Sequence, residues 1–200
     1  MINNSKILPL LFFFYVAVQF ACNKPIKSKK ELLAYVYKPD NGLTSITQAG
    51  EIETRLSYIP WQAQAYDNQS KKIKLNPKSL ISIKNNYAFV LGFSKDKKEV
   101  LRQLDFNTYS EILQVLAFRM QNYIVAKIDG GKPVTPLSCT FQQTYGMSTT
   151  NNLLLIFDKK AIATTGFITV FVKEFGLKTG DFQFRINTSD ITKLQKNIQF

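Results

Sequence analysis

The spacing of apolar residues changes along the chain, and each change marks an element. From Ser28 or Lys29 to about Lys38, Leu32, Leu33, Val36 and Tyr37 recur at helical spacing and predict a first helix. Pro39-Asp40-Asn41-Gly42 stops it, because proline cannot continue a helix and Asn-Gly suits a turn. Leu43–Gln48 and Ile52–Tyr58 then read as two extended segments around Ala49-Gly50-Glu51. In the second, Ile52, Thr54, Leu56 and Tyr58 share one side while Glu53, Arg55 and Ser57 share the other, the pattern of a half-exposed antiparallel strand. Trp61–Tyr66 is expected to make a turn of helix. Asp67–Pro77 is expected to be a surface loop, and Leu80–Ile83 reads as either a helical turn or a short strand. Tyr87–Phe93 is apolar enough for a buried strand.

The best-defined helix comes next. Thr108 is placed to cap it, with Glu111 closing a capping box, and Tyr109, Ile112, Leu113, Leu116 and Met120 form its apolar stripe. Arg119 stands near its C-terminal end, where positive charge is favoured. From Tyr123 onward the periodicity is that of strands: Tyr123–Ile128, Val134–Thr144, Leu153–Asp158, Phe167–Glu174 and Asp181–Ile186, with turn signals at Asp129-Gly130-Gly131 and Thr179-Gly180-Asp181. Both faces of the Phe167 strand start apolar, so it is expected to be central and covered on both sides. Asp190–Asn197 reads as a short terminal helix with Ile191 and Leu194 inward. The fold class predicted is α+β: a single domain with a largely antiparallel, strand-rich sheet and two packed helices.

The first thirty residues follow another logic. Met1–Lys6 is polar with one positive side chain; Ile7–Phe20 is apolar but for Pro9 and Gln19; Ala21, Cys22 and the polar stretch Asn23–Lys30 follow. Fourteen residues are short of the roughly 20 that cross a bilayer and suit the apolar region of a secretory signal. The arrangement resembles a bacterial lipoprotein signal, which implies that Cys22 is lipidated and becomes the first mature residue. Gln19 and Phe20 depart from the aliphatic and small residues usual at those positions. An ordinary cleaved signal and an uncleaved anchor are the alternatives. The division expected is signal peptide 1–21, tether 22–30, and one α+β domain over 31–200.

Composition narrows the chemistry. The chain has 200 residues, 45% of them hydrophobic and 13% aromatic, which supports a packed core. It has no histidine, the commonest general base and a common zinc ligand, and two cysteines, too few for a disulfide framework. The formal charge is +12 with a pI of about 9.6. Only four of the 26 positive side chains are arginine (Arg55, Arg102, Arg119 and Arg185). Arginine is the residue suited to bidentate phosphate contacts, so a nucleic-acid partner is not expected. A lysine- and asparagine-rich chain is what an AT-rich genome encodes; a diffuse attraction for anionic polymer or lipid head groups is the functional alternative.

Candidate sites are few. Cys139 lies in an apparent strand, and without histidine to activate it a buried, inert thiol is expected. Glu51 and Glu53 fall two apart on a strand and offer a carboxylate pair of the kind glycosidases use, although such enzymes draw their acids from separate elements; a solvated strand face is the plainer reading. Asp40-Asn41-Gly42 is too short for a calcium loop. The phenylalanines of Phe167–Phe175 with Phe182 and Phe184 offer either a ligand groove or core. No phosphate loop, nucleophile elbow, metal motif or cofactor signature is present.

Several short stretches resemble uncharacterised, predicted lipoproteins of Bacteroidetes bacteria: Glu31-Leu32-Leu33-Ala34-Tyr35 running into Asn41-Gly42-Leu43, Tyr58-Ile59-Pro60, Tyr87–Gly92, the Tyr109–Met120 helix, and, best of all, Cys139–Gly146, Asn152–Phe157 and Thr165-Gly166-Phe167. The resemblance implies export and lipidation and implies no activity. The function expected is a lipid-anchored, noncatalytic binding or scaffold protein of the cell envelope, in the outer membrane facing the periplasm, with an envelope protein or anionic glycan as partner. The alternatives are a binder of anionic envelope polymer through lysines and a carboxylate-based glycan hydrolase.

Overall fold

The computed structural model describes residues 25–70, 76–129, 131–162 and 165–199. The signal segment, Cys22 and the lysines Lys71, Lys72 and Lys74 lie outside the described residues. Within them the chain is α+β, with two antiparallel sheets and five α-helices. The helices are α1 (Lys29–Tyr37), α2 (Trp61–Ser70), α3 (Pro77–Lys84), α4 (Phe106–Gln114) and α5 (Thr188–Asn197).

The larger sheet is built from β1 (Thr44–Ala49), β2 (Ile52–Ile59), β3 (Asn86–Lys95), β4 (Lys98–Glu99), β6 (Ser138–Gln142) and β7 (Asn151–Asp158). Its strand order is β1-β2-β3-β7-β6, with β4 also paired to β3. The smaller sheet has the order β5-β8-β9, from β5 (Ile124–Ile128), β8 (Phe167–Val172) and β9 (Phe182–Asn187).

Register explains the core. Tyr58 pairs with Phe89 and Phe89 with Leu155; Leu56 pairs with Leu91 and Leu91 with Leu153. Directly paired residues project to one face, so this face of the larger sheet is continuous apolar surface. In the smaller sheet the same rule aligns Ile124 with Val172 and Val170 with Phe184. The two apolar faces meet where Phe93 packs edge-on against Phe175 and Phe182, with ring centroids 5.4 and 6.4 Å apart. Edge-to-face pairs of this kind add about 0.5–1.5 kcal/mol each beyond their buried area.

Strand β8 is central, as expected, but its two faces are covered differently. Ile168, Val170 and Val172 are buried in the core. On the other face Lys127 lies over Phe171 and Arg185 over Phe167, with Thr169 buried between them. Long cationic stems from the neighbouring strands cover that face in place of a second packing layer.

Helices depart from the sequence expectation in number and extent. Asp67–Ser70 continues α2 and is not loop, because Trp61–Ser70 contains neither glycine nor proline to stop it. Leu80–Ile83 belongs to helix α3, started by Asn76, whose side chain accepts from Ser79 N at 2.8 Å, and by Pro77 in the first turn. In α4 the cap is Asp105 and not Thr108. The Asp105 carboxylate accepts from the backbone N–H groups of Asn107 and Thr108 and from the Thr108 hydroxyl. Those bonds hold its carboxyl below the usual range. A wider π turn over Val115–Arg119 follows, burying Val115, Leu116 and Met120 while Phe118 points outward.

The stretch read as a tether is partly structured. Ile26 is buried and forms a parallel bridge with Ile198, and Ser28 caps α1 by accepting from Glu31 N.

Candidate functional site

Three segments distant in sequence meet at one edge of the larger sheet and enclose a cleft of about 560 Å³. The chain from Glu99 to Leu104 forms its base, α4 supplies Phe106, Tyr109 and Leu113, and β6 with the loop beyond it supplies Phe141 and Gln143 to Gly146. Strand pairing fixes this arrangement. β6 is the end strand, so the loop from β6 back to β7 passes over the β4 end of the sheet.

The rim is aromatic and open. Phe106 is 83% exposed and Tyr145 79%, with Tyr109 partly exposed beside them. Phe106 occupies the first turn of α4, just beyond the Asp105 cap, where no neighbouring element covers it. Tyr145 adopts a left-handed backbone, φ 51°, uncommon for a residue other than glycine. Gly146 follows at φ 83°, and a side chain there would collide with the Arg102 guanidinium. Arg102 Nη1 donates to the Tyr145 carbonyl at 3.2 Å, and the Tyr145 hydroxyl donates to Gln143 Oε1 at 3.0 Å. A left-handed backbone, found also at Asp96, Lys97 and Lys178, thus coincides at Tyr145 with an aromatic ring presented to solvent.

The base is polar and buried. Glu99 is only 4% exposed; its carboxylate accepts from the Thr144 hydroxyl, and no lysine or arginine pairs with it among the described residues. Asn151 is buried beside it, with its side-chain oxygen accepting from Leu101 N at 2.9 Å. Burying a carboxylate without a counter-charge is costly unless something compensates it.

Sites expected from sequence fare differently. Glu51 and Glu53 line one shallow depression with Asp96, but each is held by a different cation. Glu51 sits in the β1–β2 turn and binds Lys95, which lowers the Glu51 pKa and raises that of Lys95; Glu53 binds Arg55 at 3.0 Å. Two carboxylates each neutralised by a different cation do not resemble an acid/base dyad. Phe175, Phe182 and Phe184 are core and Phe167 and Phe171 lie under cations, while Phe171 and the edge of Phe182 also line a depression of about 520 Å³ beside Lys127 and Gln183. Cys139 is half-buried on the end strand, less enclosed than expected, and desolvation pushes its thiol up to about 11. No cluster of three potential metal ligands occurs among the described residues. The exposed aromatics that sequence reading missed are Phe106 and Tyr145; Tyr109, read as core stripe, lies on the rim.

A second depression of about 500 Å³ crosses the opposite face of the larger sheet, over Gly92 between Arg55 and Asn152. Arg55 binds Glu53 through Nη2 but leaves its buried Nε without a partner among the described residues, and the Thr150 hydroxyl donates to Asn152.

No protein-family model matches this chain, and no curated protein matches it. Among solved structures, a protein of unknown function from Burkholderia pseudomallei aligns over 86% of this chain and 91% of that one. The identity is 10% and the TM-score 0.43, a likeness too loose to carry an argument.

Proposed function

We propose that the chain is a noncatalytic binding module of the cell envelope, anchored by a lipid on Cys22, and that its binding surface is the cleft between the 99–106 segment, α4 and the 143–146 loop. The observation that carries the binding role is the pairing of exposed Phe106 and Tyr145 with the buried, unpaired Glu99. Binding sites characteristically combine apolar and aromatic lining with a few placed polar groups. Glu99 is the one acid among the residues lining the cleft, whereas glycoside hydrolysis uses two. That favours binding over the hydrolase alternative.

Anchoring has a geometric consequence. Ile26 is fixed to the body of the domain, so only Asn23, Lys24 and Pro25 separate it from Cys22. Four extended residue steps reach at most about 14 Å. A lipid on Cys22 therefore holds the domain close to the bilayer, with Lys27, Lys30 and Lys196 near the point of attachment. Each lysine beside an anionic surface contributes about 1 kcal/mol of attraction. The lysine surface then serves orientation on the membrane, which agrees with the export and lipidation that the resemblance to Bacteroidetes lipoproteins implies.

A photocrosslinking residue in place of Tyr145 tests the binding role in intact cells. An envelope component is expected to crosslink there and not from the Phe118 position, which is exposed but outside the cleft. Identical crosslinking from both positions would remove the cleft from the account.

A further inference from the structure

We propose that the cleft takes a neutral saccharide, its ring stacked on the Phe106–Tyr109–Tyr145 rim and its hydroxyls bound by Glu99 and Asn151; this rests on the binding role argued above. A pyranose ring has an apolar face of C–H groups and an edge of hydroxyls. The cleft offers the matching division. Its rim presents aromatic faces that tolerate water, and its base presents a carboxylate and an amide enclosed by protein. Hydrogen bonds to a carboxylate are about twice as strong as neutral ones, so a sugar hydroxyl donating to Glu99 would compensate its burial.

Charge selects among sugars. Glu99 has the Thr144 hydroxyl and no cation, so a uronic acid seated on it would place two carboxylates together. Arg102 keeps its charge but lies at the exposed mouth, where it is a rim contact and does not face an acid seated at the base beside Glu99. An acyl chain is disfavoured by the same carboxylate, since an apolar ligand would add no hydrogen bond to the one that the Thr144 hydroxyl supplies. A peptide added along the free edge of β6 would use main-chain bonds at residues 138–142 and would depend little on Phe106.

The geometry also assigns the strained turn a role. The left-handed Tyr145-Gly146 pair lets the Arg102 side chain pass where any other residue than glycine at 146 would block it, and this holds the Tyr145 ring over the cleft. The stacking surface is thereby set before a ligand arrives, which reduces the ordering cost of binding.

Calorimetric titration of the full-length protein in detergent, with chitohexaose, xylohexaose, maltohexaose and hexagalacturonate as probes, tests the proposal. At least one neutral hexasaccharide is expected to bind below about 10 mM, with hexagalacturonate weaker than it. Phe106→Ala and Tyr145→Ala should each weaken binding about tenfold, and Glu99→Gln should weaken it similarly. Phe118→Ala should change nothing, and melting temperatures should confirm that the exposed-site variants fold. Absence of binding by every neutral probe, a preference for hexagalacturonate, or binding indifferent to Phe106 and Tyr145 would each overturn the saccharide assignment. If the sugars fail while crosslinking from Tyr145 persists, the binding role stands and the ligand is of another class; if both fail, both fall.

Discussion

Ile26 and Ile198 lie side by side in a parallel bridge, joining the two ends of the described chain. Ile26 N donates to the Asn197 carbonyl at 2.9 Å, and Gln199 N donates to the Ile26 carbonyl at 3.0 Å. Ile26 is 5% exposed. The bridge ties Ile26 to the folded body, four residues after Cys22 in the sequence. Ile26→Ala should lower stability by about 2 kcal/mol, the low end for a buried isoleucine because a chain end relaxes readily. Thermal melting beside the parent checks this; an unchanged midpoint would mean the bridge does not hold the N-terminal segment.

Leu116 is a second test of packing. It is 2% exposed and faces inward from the π turn. Leu116→Ala should cost about 2–5 kcal/mol, the range for a buried leucine. Gln114, on the exposed side of α4, should accept alanine with a change within about 0.5 kcal/mol. Denaturant titration of both variants separates a core stripe from a partner-binding one.

Glu174 predicts an acid-sensitive loop. Partial burial opposes its ionisation, yet its carboxylate accepts from the N–H groups of Phe175, Gly176, Lys178 and Gly180 and from the Thr179 hydroxyl, and the net effect lowers its pKa. A depressed pKa means the stabilisation is present above the unfolded value and is lost as pH falls through the folded one. Glu174→Gln should therefore flatten the acid limb of the stability profile below about pH 4.5 and leave the neutral region less stable than the parent. Melting temperature as a function of pH in parent and variant reads this directly; parallel acid limbs would contradict it.

Cys139 gives the opposite sign. Its thiol is raised to about 11 by desolvation, so the folded state favours the neutral form. That contribution is present at neutral pH and is lost as pH rises from the unfolded value of about 9 through about 11. Alkylation in the native state should be slow at neutral pH and rise about tenfold per pH unit towards 11. Cys139→Ala should cost about 1 kcal/mol. Rapid labelling at pH 7 would show an activated thiol.

The strands were legible because alternation survives wherever one face is buried: Ile52, Thr54, Leu56 and Tyr58 are buried on the side that the period of two assigns them, although Ser57, expected on the exposed side, is buried against Thr44. Helix α3 had a readable start in Asn76-Pro77, overlooked because its short apolar run fits strand as well as helix. Helix α2 has no apolar stripe, so periodicity does not carry it past the turn expected over Trp61–Tyr66. Of the β8 and β9 phenylalanines, Phe182 and Phe184 are buried because they pair with Val172 and Val170, while Phe167 and Phe171 face the other side of the sheet, a division that composition does not encode. The cleft was not legible at all. It joins residues 99–113 to 141–151 through the position of β6 at the sheet's end, and its most exposed ring depends on a left-handed backbone at Tyr145. Neither fact is local in sequence.

The envelope assignment rests on Cys22, four residues before Ile26, the first buried position among the described residues. The mass of the N-terminal peptide from protein purified out of native membranes tests it most directly. The account predicts a peptide that begins at Cys22 and carries covalently bound lipid. A peptide that retains Met1–Ala21, or one in which Cys22 is unmodified, would contradict it.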